Sequence, residues 1–189
     1  MKEKGKVIQF DTDEHPRLTS VEKLATLKPT FKENGTVTPG NASGINDGAG
    51  GVVLANEASV KKYGLTPLAR LVAFSYVGVE PKFMGIGPVP AIEKVLDVGG
   101  VSRNDVGIFD INEAFATQFM ACAKALDLDH ETTNVCGGAV AIGHPIGASG
   151  IRITSHLTHA LKRHEKIRYA VGSACIGGGQ GIAVLLERA

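Results

Sequence analysis

The chain has 189 residues, 43% hydrophobic and 21% charged, which excludes a disordered chain and fits one sizeable globular domain, with or without an appendage. Its 20 basic and 19 acidic residues give a net charge of +1, so no large electric field favours nucleic acid or an acidic membrane. There is no tryptophan and only 5% of the residues are aromatic, which leaves little surface for stacking on bases.

The first ten residues, MKEKGKVIQF, are charged and lack an apolar core, so we expect neither a signal peptide nor an anchor. No apolar run approaches the ~20 residues of a membrane helix, and no membrane association is expected. The three cysteines, Cys122, Cys136 and Cys175, are odd in number and lack metal-ligand spacing. They predict free thiols in a reducing, cytoplasmic setting, and no metal site.

The first third of the chain has too little apolar content to form its own core. Ser20–Leu27 predicts a short helix with Ser20 as its N-cap, and the turn-rich residues 28–40 follow it. After the glycine-rich loop Asn41–Gly51, Gly51–Ala55 predicts a strand and Glu57–Tyr63 predicts a helix. One strand and one helix cannot bury both their faces, which indicates that part of the sheet lies on another chain.

From Leu68 onward the pattern is typical of a layered α/β domain, because strand and helix signals alternate. The predicted strands are Leu68–Val77, Val106–Ile111, Ile167–Ala174 and Gly181–Glu187, and the predicted helices are Pro90–Asp97, Glu113–Leu128 and Ser149–Arg163. The helix Glu113–Leu128 is apolar almost all the way round, so we expect it to be sandwiched between layers.

The stretch Asn134–Gly150, NVCGGAVAIGHPIGASG, has the densest set of turn signals in the chain. The apolar run Ala139–Ile142 predicts a strand that leads into His144, and Pro145 fixes the turn directly after it. A stiff, glycine-flanked corner aims the histidine ring, as a catalytic histidine requires. A core histidine in a tight turn explains the same residues equally well.

Two further polar positions follow predicted strands, where ligands collect in layered α/β folds. Asn112 follows the strand Val106–Ile111, and Cys175 precedes three consecutive glycines, whose N–H groups are free to face an oxyanion. The structural alternatives are an N-cap for Asn112, a small buried hydrophobe for Cys175 and a tight bend for the glycines.

Other features predict structure rather than chemistry. Cys122 is interpreted as core filler, and the basic stripe on the last helix is interpreted as a solvated face (Arg152, His156, His159 and Arg163). Neither GxGxxG nor GxxxxGK[ST] occurs, which disfavours dinucleotide and P-loop sites.

Taken together, these motifs resemble the C-terminal half of a thiolase, in the acetyl-CoA acetyltransferase and 3-ketoacyl-CoA thiolase branches. The matching segments are residues 35–50 (GTVTPGNASGINDGAG), 84–92 (MGIGPVPAI), 112–116 (NEAFA), 134–150 and 175–184 (CIGGGQGIAV). The resemblance implies a five-layered α/β fold of two similar βαβαβαββ halves, with a loop domain that covers coenzyme A. On that map, residues 1–45 are the tail of the loop domain, residues 46–67 return to the N-terminal half, and residues 68–189 are the C-terminal half.

The resemblance also implies roles for individual residues. His144 matches the histidine that activates the nucleophilic cysteine and helps bind the thioester oxygen, and Cys175 matches the acid/base cysteine. Asn112 matches the asparagine that holds the water of the first oxyanion hole, and Gly177 matches the backbone donor of the second. The positions that match coenzyme A contacts are Ser43, Phe31 and Phe115 at the pantetheine arm, and Arg17 and Thr19, with a shortened spacing, near the nucleotide end.

Two positions depart from the family pattern. Cys136 stands where an asparagine is usual, and no catalytic role is assigned to it. Neither Cys122 nor Cys136 has the small-residue context of the nucleophilic cysteine, which thiolases carry in their N-terminal half. Covalent catalysis needs that nucleophile, so this chain alone is not expected to complete the reaction.

The resulting hypothesis is the acid/base subunit of a split thiolase, in which a partner chain supplies the nucleophile. The hetero-oligomer would transfer an acyl group between coenzyme A thioesters, in the thiolysis or the Claisen direction. Coenzyme A thioesters would be its substrates, and no separate cofactor is expected. The alternatives are a truncated piece of an ordinary thiolase and a non-catalytic module that binds coenzyme A or acts as a scaffold.

Overall fold

The computed structural model describes residues 2–3 and 5–189. In the first third, β1 (Lys2–Glu3) pairs antiparallel with β2 (Lys6–Val7). The helices α1 (Val21–Ala25) and α2 (Glu57–Tyr63) follow. Each has a polar N-cap: the Ser20 side chain accepts the Lys23 N–H, and the Asn56 side chain accepts the Ser59 N–H. Neither helix has a buried residue, so this part of the chain lies on the surface of the C-terminal domain.

The C-terminal part is a mixed four-stranded sheet with helices, which confirms the predicted α/β class. Its elements are β3 (Ala69–Gly78), α3 (Pro88–Gly99), β4 (Val106–Ile111), α4 (Ala116–Ala125), α5 (Ala139–Ile142), α6 (Ser149–Arg163), β5 (Tyr169–Ile176) and β6 (Gln180–Arg188). The strand order is β3-β6-β5-β4, with β4 and β5 parallel and the other two pairings antiparallel.

Helices pack on both faces of this sheet, although the outward face of β3 stays exposed at Phe74 and Tyr76. Successive strand residues point to opposite faces and therefore join different cores. Phe109, Val171 and Leu185 join the core beneath α3 and α4. Their neighbours in the strands join the second core, beneath α6 (Ile108, Ala170 and Leu186). The sheet is therefore the middle of three layers, and the carboxyl ends of β4 and β5 lie side by side.

The predicted strand Gly51–Ala55 is wrong: these residues have no regular structure. Val53 is 90% exposed and Leu54 is 77% exposed, and within the described part of the chain no strand pairs with them. A strand needs a hydrogen-bonding neighbour, so apolar β-formers without one stay irregular and exposed.

The predicted helix Glu113–Leu128 is shorter in the structure, at Ala116–Ala125. The residues before it are extended: Phe115 has φ −142° and forms a bridge with Ala42, and the Ala116 N–H donates to the Asn41 carbonyl. The helix is also not fully sandwiched, since Met120 is 60% exposed.

The run Ala139–Ile142 forms one turn of helix, so the strand predicted before His144 is wrong. The Glu113 carboxylate accepts the Val140 N–H near the start of this turn, where helical N–H groups lack backbone partners. Among the described residues between α4 and α6, strand pairing is reduced to isolated parallel bridges, of Thr133 with Phe109 and of His144 with Ile45. Among the described residues, no helix is long and apolar enough to cross a membrane.

Candidate active site

Asn112 lies directly beyond the end of β4 and is completely buried. Its N–H donates to the Ser173 carbonyl at 2.9 Å, which continues the pairing of β4 with β5 by one residue. Its side-chain Oδ1 is buried and has no hydrogen-bond partner in the part of the chain that the structure describes. A buried, unpaired amide oxygen at a strand end is free to hold a water molecule or a ligand. Asn112 does not cap a helix, since α4 begins at Ala116.

His144 lies in the loop between α5 and α6, and residues 44–46, part of the glycine-rich loop Asn41–Gly51, hold it. The His144 N–H donates to the Gly44 carbonyl at 2.8 Å, and His144 forms a parallel bridge with Ile45. Gly143 has φ +93°, and the Asn46 side chain fills the space where a Cβ of residue 143 would lie. Because only glycine adopts that conformation beside Asn46 without strain, the backbone itself fixes the direction of the His144 ring.

Both nitrogens of the His144 ring face polar side chains. Nδ1 lies 2.6 Å from the hydroxyl of Ser149, which is only 3% exposed, and Nε2 lies 3.4 Å from the Asn112 Nδ2. The structure therefore brings two of the predicted catalytic residues into direct contact. A core histidine with no role would not need an unpaired amide oxygen at its side.

The pKa of His144 is lowered from its usual 6.5, first by burial and then by the positive charge of Arg152. Both causes disfavour the charged imidazolium, so the ring is neutral at physiological pH. A neutral imidazole next to a buried amide is the form that accepts a proton.

Cys175 and Gly177 lie at the same end of the sheet, where β5 turns into β6. Cys175 is half-buried near the end of β5, two residues beyond Ser173, which pairs with the Asn112 backbone. Burial raises the pKa of the Cys175 thiol, which is therefore protonated at neutral pH. Gly177 is exposed in the turn, with open space around its Cα. Within the described residues, no hydrogen bond joins Cys175 or Gly177 to His144.

The positions expected at a pantetheine arm form a second group beside the Asn112 segment. The N–H and the hydroxyl of Ser43 both donate to the Ala114 carbonyl, at 3.1 and 3.0 Å. Phe31 and Phe115 meet edge to face, with ring centroids 5.9 Å apart and an angle of 86° between the planes. Phe31 keeps 72% of its surface exposed, so this pair presents an open apolar surface.

Arg17 and Thr19 are not part of either group. Both are exposed, and among the described residues neither makes a hydrogen bond or an ion pair. Their role near the nucleotide end of coenzyme A therefore stays a prediction.

Two polar residues that sequence reasoning missed support the His144 loop. Glu113 accepts hydrogen bonds from the Asn134 side chain at 3.0 Å and from the Val140 N–H at 3.1 Å, and it packs against Gly138. Ser149, the first residue of α6, binds the His144 ring. The place of Glu113 next to Asn112 was a sequence signal for it, whereas Ser149 has no local signal.

The interpretation of the basic stripe on α6 as a solvated face is wrong for two of its four members. The side chains of Arg152 and His156 are only 20% and 17% exposed, and both bind the completely buried Asp110, at 2.9 and 2.7 Å. The pKa of His156 is raised, above all by its hydrogen bond to Asp110, and further by the charge of Asp110 and by Cys136. His159 and Arg163 are exposed, as expected.

The chemical content of the site is a neutral imidazole, a protonated thiol and an unpaired amide oxygen at one end of a sheet. A base and an acid that stay in opposite protonation states suit proton transfer at a carbon atom. Burial raises the pKa of the Cys122 thiol to about 11, which makes that thiol a poor nucleophile.

Comparisons with known proteins identify the family of this chain. The thiolase C-terminal domain family matches residues 65–188, and the thiolase N-terminal domain family matches residues 1–58. The mitochondrial 3-ketoacyl-CoA thiolase of Mus musculus is 56% identical over 179 residues, which are 94% of this chain and 45% of that protein.

Solved structures give the same result. The human mitochondrial 3-ketoacyl-CoA thiolase in complex with CoA superposes with a TM-score of 0.92 at 55% identity, over 95% of this chain and 46% of that one. The acetyl-CoA acetyltransferase of Bacillus anthracis gives a TM-score of 0.93 at 50% identity, over 100% of this chain and 48% of that one. The chain thus spans a little under half the length of the proteins that it matches. It belongs to the thiolase family.

Proposed function

We propose that this chain supplies the acid/base half of a thiolase active site. The complete site would transfer an acyl group between coenzyme A thioesters, as thiolysis of a 3-ketoacyl thioester or as the reverse condensation. The observation that carries the proposal is the contact of His144 with Asn112, at the same end of the sheet as the thiol of Cys175, whose pKa is shifted in the opposite direction. His144 would take the proton of the nucleophile, and Cys175 would move the proton on the carbon next to the thioester.

The oxyanion that forms in such a transfer needs donors. Asn112 would hold a water molecule through its Oδ1, and the backbone N–H of the exposed Gly177 would face a second oxyanion. The pair Phe31 and Phe115, with Ser43, would contact the pantetheine arm of the substrate. Coenzyme A thioesters would enter as substrates, without a separate cofactor.

The nucleophile would come from a complementary thiolase half. Cys122 is buried and its pKa is raised, and Cys175 is assigned the acid/base role, so neither fits that task. An uncovered sheet face supports a missing half: Ala73 and Ser75 pack under α3, whereas Phe74 and Tyr76 on the opposite face are 62% and 68% exposed. Large apolar side chains of this kind are normally covered in an assembly.

The complementary half would be either a separate chain, which makes a hetero-oligomer, or the remainder of a longer polypeptide. On this proposal residues 1–45 belong to a loop domain over coenzyme A, residues 46–67 to the complementary half, and residues 68–189 to the C-terminal half. The exposed Val53 and Leu54 would then pair with strands of the complementary half.

The test is purification through a tag on this chain from its own cells, with intact mass and acetoacetyl-CoA thiolysis measured on the eluate. We expect thiolysis activity, with the mass showing either two polypeptides or one of about twice this length. Cys175→Ala should lower thiolysis by at least ~10²-fold, the usual effect of removing a positioned acid or base. Cys136→Ala, at an exposed cysteine outside the site, is the matched control and should keep activity. Full thiolysis after Cys175→Ala would refute the proposal.

A further inference from the structure

Ser149 occupies an unusual place beside the catalytic histidine. Its hydroxyl lies 2.6 Å from the His144 Nδ1 and 3.0 Å from the Pro145 carbonyl oxygen, and the residue is 3% exposed. Its backbone N–H donates to the same carbonyl at 2.7 Å. Backbone and side chain are therefore both fixed, and the hydroxyl has no freedom to leave the ring.

The hydrogen-bond partners of this hydroxyl decide which ring nitrogen of His144 carries the proton. A serine hydroxyl has one hydrogen, and a carbonyl oxygen only accepts. The Ser149 hydroxyl donates to the Pro145 carbonyl, so its oxygen accepts the remaining bond, from Nδ1–H of His144. The lone pair is then on Nε2, which faces the Asn112 Nδ2.

We propose that Ser149 is the positioning residue of this site, which holds His144 in the Nδ1–H tautomer and so makes Nε2 the basic atom. Its effect on turnover rests on the proposed function, whereas its effect on the tautomer does not. The order of bonds is Asn112 to His144 to Ser149 to the Pro145 carbonyl, and every member is neutral. This relay orients the imidazole as the third member of a catalytic triad does, without the negative charge that a carboxylate would bring.

The absence of charge has a chemical consequence. A carboxylate at Nδ1 would stabilise the imidazolium and raise its pKa. A neutral hydroxyl does not, so the pKa of His144 stays lowered by burial and by the charge of Arg152. Loss of the hydroxyl removes the acceptor for Nδ1–H, so the ring would populate the Nε2–H tautomer, in which the basic atom points away from Asn112. Because Ser149 does not reach the substrate, kcat should fall while KM changes little.

The experiment has two readouts on Ser149→Ala, Ser149→Thr and a matched control, Thr158→Ala. Thr158, also on α6, makes the same kind of hydroxyl bond to the carbonyl four residues before it, at 2.8 Å, without touching His144. The first readout is the tautomer of His144, from ¹⁵N NMR of the imidazole in this chain as it stands. The second is kcat and KM for thiolysis by the purified complex, across pH.

We expect the Nδ1–H tautomer in the wild-type chain and in Thr158→Ala, and a mixture rich in Nε2–H in Ser149→Ala. We expect kcat to fall roughly 10- to 100-fold in Ser149→Ala, less than loss of the whole base, with recovery in Ser149→Thr. A wild-type Nε2–H tautomer, with the Asn112 amide oxygen as its acceptor, would overturn the inference. So would an unchanged tautomer or an unchanged kcat in Ser149→Ala. Absence of thiolysis from the wild-type complex would refute the proposed function while the NMR result still decides the tautomer.

Discussion

His144 lies in the loop before α6, and His156 lies in the middle of that helix. Their surroundings shift their pKa values in opposite directions. The Nδ1 of His144 faces the hydroxyl of Ser149, and burial lowers its pKa. The Nδ1 of His156 faces the buried carboxylate of Asp110 at 2.7 Å, and that hydrogen bond raises its pKa. Burial and the positive charge of Arg152 thus favour the neutral form of His144, whereas the hydrogen bond to Asp110 favours the protonated form of His156.

Two buried polar residues at the end of β4 bind different parts of this half of the fold. Asp110 and Asn112 are two residues apart at the end of β4 and are both completely buried. Asp110 uses its charge to bind α6 through Arg152 and His156, whereas Asn112 leaves an oxygen unpaired next to His144. One position binds the helix that begins at the candidate site, and the other lies in that site.

The largest expected effect comes from His144→Gln in the purified complex. Removal of the base should lower thiolysis kcat by about 10²- to 10⁴-fold. The matched change His156→Gln should retain most of the kcat per folded molecule, because that ring holds Asp110 and not a reacting group. Steady-state thiolysis, normalised to folded protein by circular dichroism, distinguishes the two. Equal losses in both variants would mean that His144 and His156 do not differ in role.

Asp110→Asn should have the larger effect on stability. It leaves Arg152 without its charge partner beneath α6, and we expect a loss of about 3 kcal/mol in the free energy of unfolding, near the lower end for a broken buried pair because Arg152 keeps some solvent contact. Urea denaturation measures it. Asp97→Asn, at an exposed position of α3, is the control and should change stability by less than about 0.5 kcal/mol. A neutral result for Asp110→Asn would mean that the buried carboxylate does not support the helix.

Gly143→Ala should have a smaller effect, on stability and on the direction of His144. Alanine at φ +93° is strained, and its methyl group would overlap the Asn46 side chain, which together cost about 1–3 kcal/mol. Gly137→Ala tests the strain alone, since Gly137 has φ +78° and open space around it. Thermal unfolding and thiolysis should both be affected more by Gly143→Ala. If the two variants behave alike, the Asn46 contact does not fix the loop.

The smallest expected effect is the opposite pH dependence of stability from the two histidines. His156, with a raised pKa, stabilises the fold below its unfolded pKa of 6.5, and this contribution is lost as pH rises through its folded pKa. His144, with a lowered pKa, contributes above 6.5, and that contribution is lost as pH falls towards its folded pKa. Stability differences between the wild type and each Gln variant, measured across pH, should therefore change in opposite directions. Parallel changes would contradict the assigned shifts.

Much of the site was predictable because its signals are local. Glycine and proline residues around His144 place it in a turn independently of the rest of the chain. The predicted strand that ends just before Asn112 does the same for Asn112. The α/β class followed from alternating strand and helix signals, because each signal depends only on a few neighbouring residues. The resemblance to thiolases then assigned roles that spacing alone left open.

The parts that failed depend on partners distant in the sequence. Gly51–Ala55 has the composition of a strand but no neighbouring strand in the described chain, so composition was misleading. Arg152 and His156 look like a solvated helix face until Asp110, one charge inside an apolar strand, is brought beneath them by the fold. Ser149 looks like an ordinary residue at a helix start, and its contact with His144 appears only in three dimensions.

The central claim is that this chain brings the acid and the base, and that the nucleophile lies elsewhere. The most direct test is to incubate the purified complex with acetoacetyl-CoA, quench it in acid and locate the acetyl thioester by peptide mass spectrometry. We predict an acetyl group on a cysteine outside residues 1–189, and none on Cys122, Cys136 or Cys175. An acetyl thioester on any of these three cysteines would contradict the account.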